Sequence, residues 1–562
     1  MKNKITKTIL SVATFASILG MSSCTNLDET IYSDLYKDNF YRNKLEVMQA
    51  ALRPFTHMQA WMAPTGQNGY WYHAELSSDQ LAWPQKGRHG YDGGDHFRQH
   101  YHTWDARENR GKDCWNLLFG GLGYVNAALE DLAKLDGPAV GISETEMAAI
   151  VSELYVLRAF HYMRATELWG SVPIIETVGT PTNPKANTRK EIFDYCREQL
   201  ETNVPKLLPY SSELIGRISQ TAGYAMLAEL YLNAEYFIGT SMYDECIAVC
   251  DKIISGQAGG LANGKPELVQ DLLTTFSNTN HEAPDALFQF AYSQKANFGF
   301  GWDGFLSGYD AIRDAYNWKD GGWNAMVVIP TAFNMYAEND LRKKEWFMFG
   351  QQFYQFNDPQ GRWKAGDPVN GSEEWNGKPI IYVNYIARAS ELNPKPDISP
   401  IEMPTGLKST MADGEENSGA RFYKYRSGPQ TDPNYKENHY MLYRLTEIYF
   451  NKAEALMRKN GGVATQEVVN LINQCRERCF APEDWADAKY TIETLTMDEL
   501  LAERGREFIF EGKRRLDLLR FGKFTTASWW DHEPSNDKNK EIYPIPQTQL
   551  DANPSLVQNP GY

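Results

Sequence analysis

The sequence predicts a mainly α-helical protein: a helical-repeat scaffold that carries long irregular loops and a few short strands. Apolar residues recur at helical spacing through most of residues 36–56, 113–255 and 438–524. Residues 57–110 and 280–435 differ, because they are rich in Gly, Pro, Asn, Asp and aromatic residues and lack a sustained period. Since binding residues commonly lie on loops that a rigid scaffold positions, we expect the ligand face in these two segments.

The segment SELYVLRAFHYMRATELWG, residues 152–170, predicts the first long helix of this scaffold. Leu154, Leu157, Phe160 and Leu168 share an arc of about 120° on a helical projection. Gly170 is suited to ending the helix, because it adopts backbone angles that other residues avoid.

Two further segments predict helices, SQTAGYAMLAELYLNAEYF at 219–237 and MLYRLTEIYFNKAEALMRKNGG at 441–462. Small residues at close-approach positions, Ala225, Ala228 and Ala453, resemble those of tetratricopeptide-like helix pairs. No strict repeat of about 34 residues is visible, so we expect an irregular array.

The first 24 residues have the pattern of an export signal. Lysines at positions 2, 4 and 7 precede an apolar run at 8–20, which is shorter than the roughly 20 residues that a membrane-spanning helix needs. GMSSC resembles the bacterial lipobox, so we expect a lipoprotein signal peptide at 1–23 and lipid attachment at Cys24. An ordinary cleaved signal is the alternative. The mature protein, residues 24–562, would then be held to a membrane through this lipid only.

Charge and cysteine content exclude several other classes of function. The formal net charge is −16 and no stripe of Lys and Arg appears, which argues against a nucleic-acid partner. Cys246 and Cys250 fall on the apolar side of a predicted helix without nearby histidines, so we expect buried small side chains rather than a zinc site.

Carboxylates are abundant, but no pattern assigns them a catalytic role. Each acid of ERGREFIFEGKRRLDLLR, residues 503–520, has a basic neighbour at helical spacing, as Glu511 has Arg515, which indicates a structural network. No nucleophile elbow, H-E-x-x-H motif, P-loop or dinucleotide motif occurs. We therefore expect no catalytic residues, no metal ligands and no cofactor. DGGD at 92–95 and DGEENSG at 413–419 leave a structural calcium open, although neither has the register of a calcium loop.

The loop segments do fit sugar recognition. Pyranose rings have an apolar C–H face and a belt of hydroxyl groups, so a binder needs flat aromatic rings with polar residues at their edges. In LAWPQKGRHGYDGG, Trp83 and Tyr91 are the candidate rings, with Gln85, Arg88 and Asp92 at the edges.

A second cluster lies in NFGFGWDGFLSGYDAIRDAYNWKDGGWN, residues 297–324. Its candidate binding residues are Trp302, Asp303, Tyr309, Trp318 and Trp323, with glycines around each tryptophan that let the ring stand out from the backbone.

Other aromatic residues are weaker candidates or core residues. Tyr70 and Trp71 in QNGYWYHAE form a third possible platform. Trp115, Trp169 and Trp346 lie in helical or motif contexts, and we expect them in the core.

Four features together resemble the SusD/RagB family of Bacteroidetes surface lipoproteins. They are the lipobox, LRAFHYMRATELWGSVPII at 157–175, LLAERGREFIFEGKRRLDLLRFGKF at 500–524 and the ending YPIPQTQLDANPSLVQNPGY. The resemblance covers essentially the whole chain in the family's order. CTNLDE, beginning at Cys24, also resembles the acidic tag that directs such lipoproteins to the cell exterior.

The resemblance implies a tetratricopeptide-like frame with an irregular ligand face, set over a SusC-like TonB-dependent outer-membrane transporter as a lid. We therefore expect a non-enzymatic, lipid-anchored outer-membrane protein that captures oligosaccharide or polysaccharide for that transporter. A peptide-binding member of the same family and a lipid-anchored glycoside hydrolase are the alternatives.

Overall fold

The structure, a computed structural model, describes residues 41–64, 68–179, 183–211, 214–260, 265–293, 308–318, 323–426 and 436–562. Most of its regular structure is helical, as predicted. The helices are α1 (Lys44–Met62), α2 (Tyr70–Leu76), α3 (Asp95–His100), α4 (Asn109–Leu132), α5 (Glu144–Trp169), α6 (Arg189–Asn203), α7 (Gln220–Leu232), α8 (Ala234–Ile238), α9 (Tyr243–Ile254), α10 (Asp310–Tyr316), α11 (Pro330–Phe333), α12 (Leu341–Glu345), α13 (Leu445–Lys459), α14 (Gln466–Arg476), α15 (Trp485–Ala488), α16 (Met497–Phe508), α17 (Arg514–Arg520) and α18 (Gln547–Ala552).

Short strands occur only as antiparallel pairs within the described residues. The pairs are β1 (Leu81–Ala82) with β3 (Val327–Val328), β2 (Ala286–Phe290) with β8 (Tyr440–Arg444), β4 (Phe347–Met348) with β7 (Arg421–Phe422), and β5 (Gly350–Gln351) with β6 (Ile381–Tyr382). The β1–β3 pair joins the two loop-rich segments directly, because each segment contributes one of its strands.

The long helix α5 illustrates how the frame is built. Ser143 caps its start by accepting a hydrogen bond from the Glu146 N–H, and Gly170, at φ 71°, ends it as the sequence predicts. From Ser152 onward almost its whole circumference is buried, not only the predicted apolar arc. Helix α5 is therefore a central helix of the frame.

The remaining long helices pack as a chain of neighbours. Helix α4 packs on α5 and α5 on α6, while α9 packs between α7 and α13, and α13 also contacts α14. Ala225, Ala228 and Ala453 are buried on these helices, in agreement with their predicted close-approach positions.

Residues 57–110 contain more helix than the sequence predicts. Helix α1 continues to Met62, and α2 and α3 lie in the same segment. The aromatic residues of α2 explain part of the difference, because Tyr70 and Trp71 are buried and the Trp71 Nε1–H donates to the Phe510 carbonyl at 2.9 Å. These two rings pack in the core and form no ligand platform.

Other core assignments are confirmed. Trp115, Trp169 and Trp346 are buried, and Cys246 and Cys250 are buried free cysteines. Across the described ranges, no helix combines the length and the low charge that crossing a bilayer requires.

The predicted charge network also exists, but one predicted pairing is wrong. Glu511 does not pair with Arg515, because the helix stops at Phe508 and resumes at Arg514, with Phe510 and Gly512 at positive φ. Glu511 binds Arg444 at 2.8 Å, whereas Arg515 binds Glu167 on α5 at 3.1 Å. Glu511 and Arg515 therefore connect distant parts of the chain, whereas Glu503 with Arg506 and Asp517 with Arg520 pair at the predicted helical spacing.

Candidate functional site

A tight turn at residues 86–89 lies at the centre of the candidate site. The Lys86 N–H donates to the His89 carbonyl and the His89 N–H donates to the Lys86 carbonyl, both at 2.9 Å. Gly87 has φ 54°, a left-handed angle that suits glycine, and Arg88 at the tip has a side chain that is 77% exposed. The Gly87 N–H donates to the Gly414 carbonyl at 3.0 Å, which fixes the turn to the loop around 414.

Hydrogen bonds of the buried Lys86 side chain join the turn to the second predicted cluster. The side chain of Lys86 is buried, and its Nζ donates to the Asn324 carbonyl and, at 2.6 Å, to the Ala325 carbonyl. Burial holds the pKa of Lys86 well below its usual value. Arg421 donates to the Asn324 Oδ1 at 2.7 Å, so Asn324, the residue after Trp323, is held through both its backbone carbonyl and its side chain.

A ring contact joins the same segments. The centroids of His89 and Tyr309 are 5.9 Å apart at an interplanar angle of 59°. Tyr309 is half-buried, and burial raises its pKa to about 12, so its hydroxyl stays protonated at neutral pH. These contacts bring the two clusters, separated by more than 200 residues in the sequence, next to each other. Their exposed and half-buried predicted residues are here called the candidate face: Gln85, Arg88, Tyr91, Asp92, Tyr309 and Trp323.

The exposed rings of this face are Tyr91 and Trp323. Tyr91 is 53% exposed and Trp323 is 50% exposed. Asp92, which follows Tyr91 in the chain, has an exposed side chain. Its Oδ2 lies 3.1 Å from the His96 Nε2, and this hydrogen bond lowers the pKa of Asp92. Gln85 is half-buried, and its Nε2 donates to the Gly87 carbonyl at 3.0 Å.

Two of the predicted rings are buried. Trp83 is 4% exposed and stacks on His96, with ring centroids 4.0 Å apart at 8°. Trp318 is 6% exposed and stacks on Tyr316 at 5.3 Å. Neither ring offers an open face to a sugar in this structure, because neighbouring aromatic rings cover them. Trp302 and Asp303 lie outside the described residues.

The sequence reasoning missed Glu373 and Glu374. The Glu373 carboxylate lies 3.5 Å from the Arg88 Nη2. A Cβ on Gly87 would lie 2.2 Å from the Glu374 Oε1, so a larger residue at position 87 would displace the Glu374 carboxylate from this place. Their loop is held by Glu416, which accepts hydrogen bonds from the Ser372 and Glu373 N–H groups at 2.9 and 3.1 Å. No local pattern in SEEWNG marks these acids as neighbours of a turn some 285 residues earlier.

The two acids of DGGD at 92–95 have side-chain partners in the structure. Asp95 pairs with Arg98 at 2.5 Å and with Arg110 at 3.2 Å, while Asp92 faces His96. Among the residues that the structure describes, no group of three or more His, Cys, Asp or Glu side chains is arranged to hold a metal ion.

Comparison with known protein families matches both halves of the chain. Residues 284–562 match the family described as "SusD family", and residues 27–232 match "Starch-binding associating with outer membrane". The chain belongs to the SusD/RagB family. The predicted family and the predicted fold class are therefore both confirmed.

Individual SusD-family proteins are similar to this chain over most of their length. "Starch-binding protein SusD" of Bacteroides thetaiotaomicron is 24% identical over 446 residues, which cover 75% of this chain and 74% of that protein. Among solved structures, "Surface glycan-binding protein A from Bacteroides thetaiotaomicron in complex with laminarihexaose" has a TM-score of 0.65 and 18% identity, and covers 92% of this chain and 99% of its own. A "Laminarin binding SusD-like protein" has a TM-score of 0.66 and 17% identity, over 93% and 100% of the two chains. These SusD-like relatives are binding proteins and not enzymes, and the prediction that this chain is not an enzyme is confirmed on that ground.

Proposed function

We propose that this protein is a cell-surface glycan-binding lipoprotein that captures oligosaccharide or polysaccharide and delivers it to a SusC-like TonB-dependent outer-membrane transporter. The observation that carries the proposal is the joining of two aromatic loop segments through Lys86 and Asn324, each of which has one ring, Tyr91 or Trp323, that is about half exposed. The starch, glycan and laminarin named for its relatives support the same class of ligand.

The chemistry of the candidate face suits a chain of sugars. Tyr91 and Trp323 offer flat apolar surface, and burying such surface contributes about 25 cal/mol per Å². Arg88 donates hydrogen bonds, and Asp92 accepts them from hydroxyl groups. Each contact is modest, so affinity would build up over repeated sugar units that engage both rings.

Removing the exposed rings tests the proposal. We expect Tyr91→Ala and Trp323→Ala each to weaken retardation in affinity electrophoresis by about five- to thirtyfold on the polysaccharide that the wild type binds, because each variant loses the stacking surface of one ring. The panel would include starch and laminarin, and isothermal titration with their oligosaccharides would give the dissociation constants.

A matched tryptophan variant outside the candidate face provides the control. Trp485 is half-buried on α15, and Trp485→Ala should leave retardation unchanged. Unchanged retardation in both Tyr91→Ala and Trp323→Ala would exclude the candidate face as the binding site. Binding of peptides in place of every polysaccharide would favour the peptide-binding alternative.

The lipid anchor at Cys24 has a separate test, since this residue lies outside the described residues. We expect Cys24→Ala to move the protein from the membrane fraction to the soluble fraction, because the acyl chains are its proposed attachment. Fractionation with metabolic fatty-acid labelling would measure both changes. Continued membrane association of the unlabelled variant would contradict the anchor. Protease accessibility on intact cells would report whether the wild type faces the exterior.

A further inference from the structure

We infer that the candidate face selects uncharged glycans and discriminates against polymers that carry uronate or sulfate groups. This inference rests on the proposed function and narrows its ligand class. It follows from the charges that surround the turn at residues 86–89.

The arginine at the tip of the turn already has an acidic partner. The Arg88 Nη2 lies 3.5 Å from the Glu373 carboxylate, and the Arg88 Nε donates to the His89 Nε2 at 3.1 Å. A glycan carboxylate or sulfate that approached this guanidinium would meet Glu373, whose side chain is 35% exposed, at the same place.

A second carboxylate, that of Glu374, lies against the turn at Gly87. The Glu374 Oε1 occupies the space that a side chain at position 87 would fill. The Glu374 Oε2 accepts a hydrogen bond from the Glu416 N–H at 3.0 Å, which fixes the carboxylate against the turn. An incoming anion would therefore lie close to a fixed negative charge.

The third carboxylate is Asp92, whose side chain is 48% exposed. Its partner His96 is buried, and burial lowers the pKa of that imidazole, so Asp92 receives a hydrogen bond from a neutral ring and keeps its own negative charge at neutral pH. Asp92 adds a further acceptor next to the exposed ring of Tyr91.

The described lysines nearby form no ion pair with these carboxylates. Lys86 is buried, and its Nζ is occupied by two backbone carbonyls. Lys395 donates to the Glu374 carbonyl at 2.7 Å and, like Lys378, lies over the ring of Trp375. Glu373, Glu374 and Asp92 thus place carboxylates beside the turn and Tyr91, and Arg88 at the tip of the turn already has an acidic partner. Carboxylates accept hydrogen bonds from sugar hydroxyl groups but repel anionic substituents, which favours an uncharged polymer.

Affinity electrophoresis in gels that contain starch, laminarin, alginate or dextran sulfate tests the inference. We expect the wild type to be retarded by at least one of the neutral polymers and to bind both anionic polymers at least about tenfold more weakly. Retardation by alginate or dextran sulfate that equals or exceeds that by every neutral polymer would overturn the inference and leave glycan binding intact. Absence of retardation by all four polymers, and by a wider neutral panel, would instead remove the proposed function together with the inference.

Charge-neutralising variants test the assigned residues. Glu373→Gln/Glu374→Gln keeps both side-chain shapes and one acceptor oxygen on each residue, so we expect binding of the anionic polymers to strengthen about tenfold relative to binding of the neutral ones. Glu483→Gln/Asp487→Asn removes the same charge from exposed positions at and near α15 and should change neither. Equal gains in anionic binding from both double variants would show that net charge, and not the turn, sets the preference.

Discussion

Arg444→Met is expected to lower the free energy of unfolding by about 3–5 kcal/mol, which is among the largest effects of a single substitution in this protein. The Arg444 side chain is completely buried at the end of β8. Its Nε and Nη2 each donate to the Glu511 carboxylate at 2.8 Å, and its Nη1 donates to Glu507 at 3.1 Å. Methionine fills much of the same volume but leaves both carboxylates buried without this partner.

The expected result can be separated from a general loss of positive charge. Arg42 is 71% exposed and pairs with Glu46 one turn along α1, so Arg42→Met should change the unfolding midpoint little. Urea and thermal unfolding, followed by circular dichroism, would measure both variants. An Arg444→Met protein as stable as the Arg42→Met protein would mean that the buried network does not support the fold.

The helical frame could be predicted because hydrophobic periodicity and helix-ending residues are visible within short stretches of sequence. Periodicity located α5, α7 and α13, and Gly170 marked the end of α5. The same periodicity predicted one apolar arc for α5, whereas the structure buries its polar residues too. Arg164, for example, is buried beside Glu167 at 3.2 Å and also contacts Glu229 on α7. Such partners lie up to several hundred residues away, so no local pattern reveals that a charged position is interior.

The burial of the rings in the two predicted loop clusters could not be predicted from local sequence either. Trp83 and Trp323 both stand beside glycine-rich sequence, yet Trp83 is 4% exposed and Trp323 is 50% exposed. The difference comes from His96, which reaches Trp83 from α3 and stacks on its ring. Composition predicted which segments form the face, while tertiary packing decides which rings in them remain open.

Acid is expected to destabilise the protein well before its carboxylates are protonated. His73 on α2 and His100 at the end of α3 are buried, at 2% and 1% exposure. His73 packs edge-on against Tyr543 with ring centroids 5.0 Å apart, and His100 lies 5.2 Å from Trp530 and 5.8 Å from His532. Burial lowers the pKa of His73 to about 4 and that of His100 to about 3, because a charged imidazole would lose its hydration there.

The sign of the effect follows from proton uptake on unfolding. Above about pH 6.5 both rings are neutral in the folded and unfolded states, so they contribute no pH dependence. Below that pH the unfolded chain binds a proton at each ring and the folded chain does not, which costs about 1.4 kcal/mol per pH unit per histidine until the folded pKa is reached. His161 and His439, with pKa values lowered to about 4, act in the same direction. Glu75 acts in the opposite direction between its ordinary pKa and about 8, since burial keeps it protonated in the folded state, and it offsets one histidine.

Unfolding free energies measured at pH 7.0, 6.0 and 5.0 would test this expectation, with stability falling steadily toward pH 5. His100→Phe removes one titrating group and should reduce the slope between pH 6 and 5 by about 1.4 kcal/mol per pH unit, whatever its effect on stability at pH 7. A slope that is the same in His100→Phe and in the wild type would show that His100 takes up its proton in the folded state as readily as in the unfolded chain. The rings of Trp530 and His532, which pack against His100, would then have to accommodate a charged imidazolium.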